Sequence, residues 1–194
     1  MVQRSQSDNN KVSKEKQLLI AQIRENYGRV VYSHKSHEKA ADIFHARLHA
    51  IKIFQITLSA LTTGSLLYHL FSGNKTGTII ASIFSVILFI LNIYTKEYNL
   101  GELSQKHHNT AQKLWDIRES YISLLTDFST DVINSNTARE KRDRLQYDLN
   151  QIYTNAPRTF KQAYEQARKG LKFNEELTFS EEEINQLLPE KMRK

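Results

Sequence analysis

The chain has no cysteine, which excludes a disulfide framework, a thiolate metal site and a cysteine nucleophile. Two prolines and six glycines are all that interrupt 194 residues, so little in the sequence breaks a long helix. There is no glycine-rich phosphate loop, no HExxH and no GxSxG, and His37-Glu38 is followed by Ala41 where a second histidine would be needed. No catalytic residue, cofactor site or metal site is therefore expected. The scarcity with the largest consequence is local. Residues 53–71 and 78–94 contain no Asp, Glu, Lys or Arg, while Lys52, Lys75 and Lys96 bracket them.

At 1.5 Å per residue, helices over these two stretches reach roughly 25 to 28 Å, close to the roughly 30 Å of bilayer hydrocarbon. Ser72-Gly73-Asn74-Lys75-Thr76-Gly77 supplies turn residues and a charge between them. The pair reads as a two-span transmembrane hairpin over 53–94. The competing reading is a buried hairpin in a soluble bundle, but a soluble helix normally keeps a charged solvent face. The start, MVQRSQSDNNKVSKEK, has no apolar run after its positive charges and is not expected to act as a signal peptide. Insertion would then be directed by the hairpin.

The net charge is +6, with bases dispersed among acids rather than gathered in a stripe. Direct nucleic-acid binding is not expected. Ten Lys/Arg against five Asp/Glu precede Ile53, sixteen of each follow Tyr94, and Lys75 stands alone between the spans. That distribution places both termini in the cytoplasm and explains the basic excess by anionic lipid headgroups.

Outside the hairpin the apolar period is helical, so the fold is expected to be all-α, with long cytoplasmic helices packed as an antiparallel bundle. Residues 1–13 read as a disordered N-terminus. Over 14–52, Ile20, Ile23, Tyr27, Val30, His34, His37, Ala41, Phe44, Leu48 and Ile51 alternate steps of three and four, with a bend or break possible at Gly28. Over 95–130 the same alternation runs through Leu100, Leu103, His107, Thr110, Leu114, Ile117, Tyr121, Leu124 and Phe128. The region 137–188 holds the C-terminal cytoplasmic helices. The first should cover about Thr137 to Tyr153, the next should open at Pro157, and the last should start from a capping box with Ser180 as N-cap and Glu183 at its third position.

Polar groups recur along the two charge-free stretches at helical spacing: Gln55, Ser59, Thr62 and His69 in one, Thr78, Ser82, Ser85 and Asn92 in the other. They can bind helix to helix or line water. Gln55, Ser59, Thr62, Ser85 and Asn92 are the candidate pore-lining residues. Two spans cannot enclose an aqueous path, so a pore requires a homo-oligomer. His34 with His37, and His45 with His49 near Asp42, have workable ligand spacing, but no cysteine completes a tetrahedral set and the helix already has an apolar role.

Tyr32-x-x-Lys35-Ser36-His37-x-x-Ala40-Ala41-x-x-Phe44-His45-x-Arg47-Leu48, placed before a two-span hairpin, resembles the SLATT domains of bacteria. The exit Tyr94-Thr95-Lys96-x-Tyr98-x-Leu100-Gly101-Glu102-Leu103, the Trp115-x-Ile117-Arg118-Glu119 segment and the tail Thr178-Phe179-Ser180-x-Glu182-Glu183-Ile184 are similar too. The resemblance covers most of the chain after residue 13. It implies a multi-pass protein of the bacterial inner membrane that acts as an effector of antiviral defence, oligomerises and forms a membrane-disrupting pore. It also implies a nucleotide second-messenger synthase, a sensor or a reverse transcriptase encoded nearby. The alternative is a membrane-anchored scaffold that recruits a soluble defence partner through its cytoplasmic helices. No catalytic residues belong to that family.

Overall fold

A computed structural model describes the backbone of residues 2–193 and the side chains of residues 14–193. The disorder expected over residues 1–13 lies outside the residues described in full. α1 spans Val2–Ser72, α2 Thr76–Glu97, α3 Leu100–Ser129, α4 Ser135–Asn155, α5 Lys161–Lys172 and α6 Glu181–Leu187, followed by a 3-10 turn at Glu190–Met192. No strand occurs among the described residues. The fold is all-α.

The helices divide into two compact units, Ala40–Thr110 and the remainder on either side of it. In the unit that holds both chain ends, the first part of α1 runs antiparallel to α3. Lys16 contacts Asp131 and lies over the Phe128 ring, while His34, further along α1, sits near Arg118. The two sequence stripes meet there: Ile23, Val30, Leu114, Tyr121, Leu124 and Phe128 are almost fully buried in one cluster, with Leu19 and Ile117 beside them. Each such aliphatic or Phe side chain contributes about 1.5–3 kcal/mol relative to leaving it in water. α4 closes this cluster with Ala138, Leu145, Leu149 and Ile152.

Helix ends follow local chemistry. α3 stops in a Schellman-type turn: Asp131 takes φ 61° and the Val132 N–H reaches the Asp127 carbonyl at 2.9 Å. The Asn134 side chain accepts from the Thr137 N–H at 3.0 Å and starts α4. Ser180 and Glu183 form the full capping box of α6, as the sequence predicts. α1 continues without a break through Gly28, where packing outweighs the roughly 1 kcal/mol glycine penalty. One expectation is corrected. Pro157 does not open the next helix: the chain is extended at Ala156 and again at Phe160, and α5 starts at Lys161.

α5 buries its small face, Ala163, Ala167 and Gly170. A Cβ on Gly170 would lie 2.9 Å from the Glu176 carboxylate. Glu176 follows a reversal with Glu175 at φ 53° and Leu177 at φ 74°, and its carboxylate reaches Lys35 Nζ at 2.8 Å and Lys39 Nζ at 3.0 Å. Hydrogen bonds from these two ammonium groups hold the Glu176 pKa at about 2. Burial works against the charge of Lys35, but its bonds to Glu176 and Glu38 outweigh burial and raise its pKa. The segment after α5 is thereby fastened to α1.

Burial pushes the pKa values of His34 and His107 below the ordinary 6.5. Around His34, Glu38 at 3.4 Å and Glu119 pull the other way, while Arg118 and Lys35 add to the depression. Folding therefore favours the neutral form of both rings. As pH falls through 6.5, the unfolded chain takes up these protons first, so the folded state loses stability in that window. The thermal midpoint in mild detergent should fall between pH 7.5 and 5.5, and His107→Gln should reduce the drop. A midpoint that is flat or rises on acidification in this window contradicts the assignment.

Candidate functional site

The unit Ala40–Thr110 contains the charge-free stretches. Its α1 segment packs against the start of α3 through Ser104, whose hydroxyl donates to the Ala41 carbonyl at 2.9 Å, and through a Phe44–His107 stack with centroids 5.6 Å apart. Gly101 lets Leu48 approach closely: a Cβ there would meet its side chain at 3.3 Å.

Beyond this contact, α1 and α2 form a hairpin. The reversal needs Gly73 at φ 68°, a left-handed conformation that glycine adopts without penalty. Asn74 then organises the start of α2: its side-chain oxygen accepts from the Thr76 N–H at 3.0 Å and the Thr76 hydroxyl at 2.8 Å, while its carbonyl meets His69 Nδ1 at 2.9 Å. Gly77 belongs to α2 rather than to the turn the sequence suggests. Its missing side chain admits the Ser65 carbonyl, which a Cβ would approach to 2.4 Å. Leu58 and Ala81 are buried on the same seam.

Near the other end of the hairpin, Gln55 Nε2 donates to Asn92 Oδ1 at 2.9 Å. Thr62 returns its hydroxyl to the Leu58 carbonyl at 2.7 Å, and Ser82 does the same to Thr78 at 2.9 Å. Such back-bonding satisfies a hydroxyl inside its own helix. Of the sequence candidates, the structure therefore brings Gln55 and Asn92 into direct contact. Gln55 and Thr62 are half-buried, whereas Ser59, Ser85 and Asn92 are exposed. The seam residues Leu58, Gly77 and Ala81 were not among those candidates; small-residue spacing at 77 and 81 is the signal that points to them. His34 and His37 are buried, while His45 and His49 are exposed.

The remaining surface of the hairpin is apolar and uncovered. Ile56, Leu70, Phe71, Ile83, Val86, Phe89 and Ile90 all stand exposed. Two helices are long and apolar enough to cross a membrane by length and composition, and only 6% of the most apolar window in the first and 11% of that after Thr76 are buried. A core helix of a water-soluble protein shows the reverse, since burying such residues drives its folding. Among the described residues, no group of three or more His, Cys, Asp or Glu could hold a metal ion.

The fold and this hairpin define an all-α protein with two long apolar helices presented outward. A family model, the SMODS and SLOG-associating 2TM effector domain family 4, matches residues 19–183; the chain belongs to this SLATT family. Comparison with curated proteins returns no match, and neither does comparison with solved structures. Membership suggests an effector role in antiviral defence.

Proposed function

We propose that the protein is a membrane effector of a bacterial antiviral defence system, whose hairpin spans the inner membrane twice with both termini in the cytoplasm and whose copies assemble into a pore. The observation that carries this reading is the exposure of the apolar windows of both long helices, which lipid satisfies and water does not. One hairpin cannot surround water, so conduction takes several copies. Two features support a polar edge for that assembly. The Gln55–Asn92 bond pins one side of the seam, and helical geometry puts Ser59 one turn from Gln55 and Ser85 about two turns from Asn92. Ser59, Ser85 and Asn92 would face the lumen, with Gln55 and Thr62 behind them. The signal would arrive through the helices outside the membrane, from a nucleotide second-messenger synthase, a sensor or a reverse transcriptase encoded nearby.

Purified protein reconstituted in liposomes should release ions or a small dye with a dependence on protein density steeper than linear. Gln55→Leu with Asn92→Leu should abolish release, and depolarisation of expressing cells, while the protein still resists carbonate extraction. Undiminished release by that double variant removes the lumen assignment. No release at any density by the wild-type protein favours a membrane-anchored scaffold that recruits a soluble partner.

A further inference from the structure

A second feature involves none of the residues of the charge-free stretches. In the unit that holds both chain ends, a cavity of about 480 Å³ opens between α1, the linker from α4 to α5, and α5. Its size falls within the range of small-molecule sites, roughly 300–1,000 Å³.

Its lining combines aromatic rings with one guanidinium. The Tyr32 and Tyr164 rings are stacked, with centroids 6.0 Å apart and planes inclined by 29°. Tyr153 also lines the cavity and is held in place by its hydroxyl, which donates to Ser33 Oγ at 2.8 Å. Arg158, on the linker, supplies the cation. No carboxylate lines the space. Ser36, only 4% exposed, also lines the space and offers a hydroxyl to it. Just beyond Arg158 the linker enters α5. The positive end of a twelve-residue helix thus adds to the charge of Arg158.

We propose that this cavity is a binding site for a small ligand that joins a planar ring to one oxyanionic group. The ring packs on the exposed faces of the tyrosines, as planar rings do on aromatic side chains. The anion takes the Arg158 fork and the Ser36 hydroxyl. A nucleoside monophosphate and an aromatic carboxylate share this chemistry, and the experiment separates them. The proposal does not rest on conduction by the hairpin, because binding is read directly.

Calorimetric titration of the full chain in detergent micelles would use four probes: adenosine monophosphate, indole-3-acetate, adenosine, and inorganic phosphate. One of the two ring-bearing anions should bind at least about tenfold tighter than both adenosine and phosphate, and which one does so names the source. Arg158→Gln and Tyr164→Ala should each weaken that binding by about tenfold or more. Both positions are exposed and lie outside the buried cluster, so helicity should remain that of the wild type. Ser36→Val should also weaken binding, while Ser36→Thr, which keeps the hydroxyl, should retain more of it. The proposal is overturned if neither ring-bearing anion outbinds phosphate and adenosine, or if the Arg158 and Tyr164 variants bind as the wild type does.

Discussion

Arginine in place of Val86, combined with Leu61→Arg, should remove the protein from the carbonate-resistant membrane fraction and abolish the depolarisation expected of expressing cells. Val86 lies midway along the charge-free stretch of α2 and is 59% exposed; Leu61, near the middle of the stretch in α1, is 49% exposed. The two solvents make opposite predictions for these positions. On the surface of a water-soluble bundle, an exposed apolar residue exchanged for a charged one changes stability by only about 0.5 kcal/mol either way. At the centre of a bilayer each arginine costs about 2.5–3.5 kcal/mol on insertion scales, so the pair costs about 5–7 kcal/mol. Snorkelling would relieve little of this, because both positions lie near the middle of their charge-free stretches. A double variant that stays carbonate-resistant, or a wild-type protein that disperses in water without detergent, rules out two membrane crossings.

Gly77→Val should break the hairpin seam while leaving the helices outside it intact. The first atom of any side chain at 77 meets the Ser65 carbonyl at 2.4 Å and the His69 Cβ and N at 3.1 Å. These are mostly backbone atoms of the facing helix, so no rotamer change relieves the contact. The helices must separate, at a cost of about 1–3 kcal/mol for overpacking and more where the shift opens other contacts. The separation is transmitted to the Gln55–Asn92 bond, whose 2.9 Å length leaves little tolerance. Gly64 is the matched control: it lies in the same hairpin, nothing comes within 4 Å of an added Cβ, and Gly64→Ala should be neutral or stabilising by up to about 1 kcal/mol. Since the chain has no cysteine, Gln55→Cys with Asn92→Cys gives a clean readout with a short bis-maleimide. Cross-linking should be efficient in the parent and in the Gly64 variant and be lost with Gly77→Val. Equal cross-linking in all three contradicts the seam.

The long-range packing was unusually legible in the residue order. Every position of the two stripes, Ile20 to Ile51 and Leu100 to Phe128, is buried or half-buried, because a helix of fixed pitch turns sequence spacing directly into a face. The ends of helices with side-chain caps were legible for the same local reason: Ser180 and Glu183 lie within one turn of each other. The misreadings fall where neighbours distant in sequence decide. Gly77 looks like a turn residue until the Ser65 carbonyl is placed against it. Pro157 is chemically suited to open a helix, yet α5 starts only at Lys161, after an extended Phe160. Glu176 has no local feature that marks it, since its partners Lys35 and Lys39 lie on α1.

The order of residues by itself determined the helical class, the two apolar lengths and the faces that pack, because these depend on charge, polarity and the pitch of a single helix. Tertiary structure decided which polar groups meet. It joined Gln55 to Asn92, left Ser59 and Ser85 outward, tied Glu176 to two lysines, and opened the tyrosine-walled cavity beside Arg158. These contacts arise where segments distant in sequence approach within a few ångströms, and hydrogen bonds and side-chain contacts act only at that range.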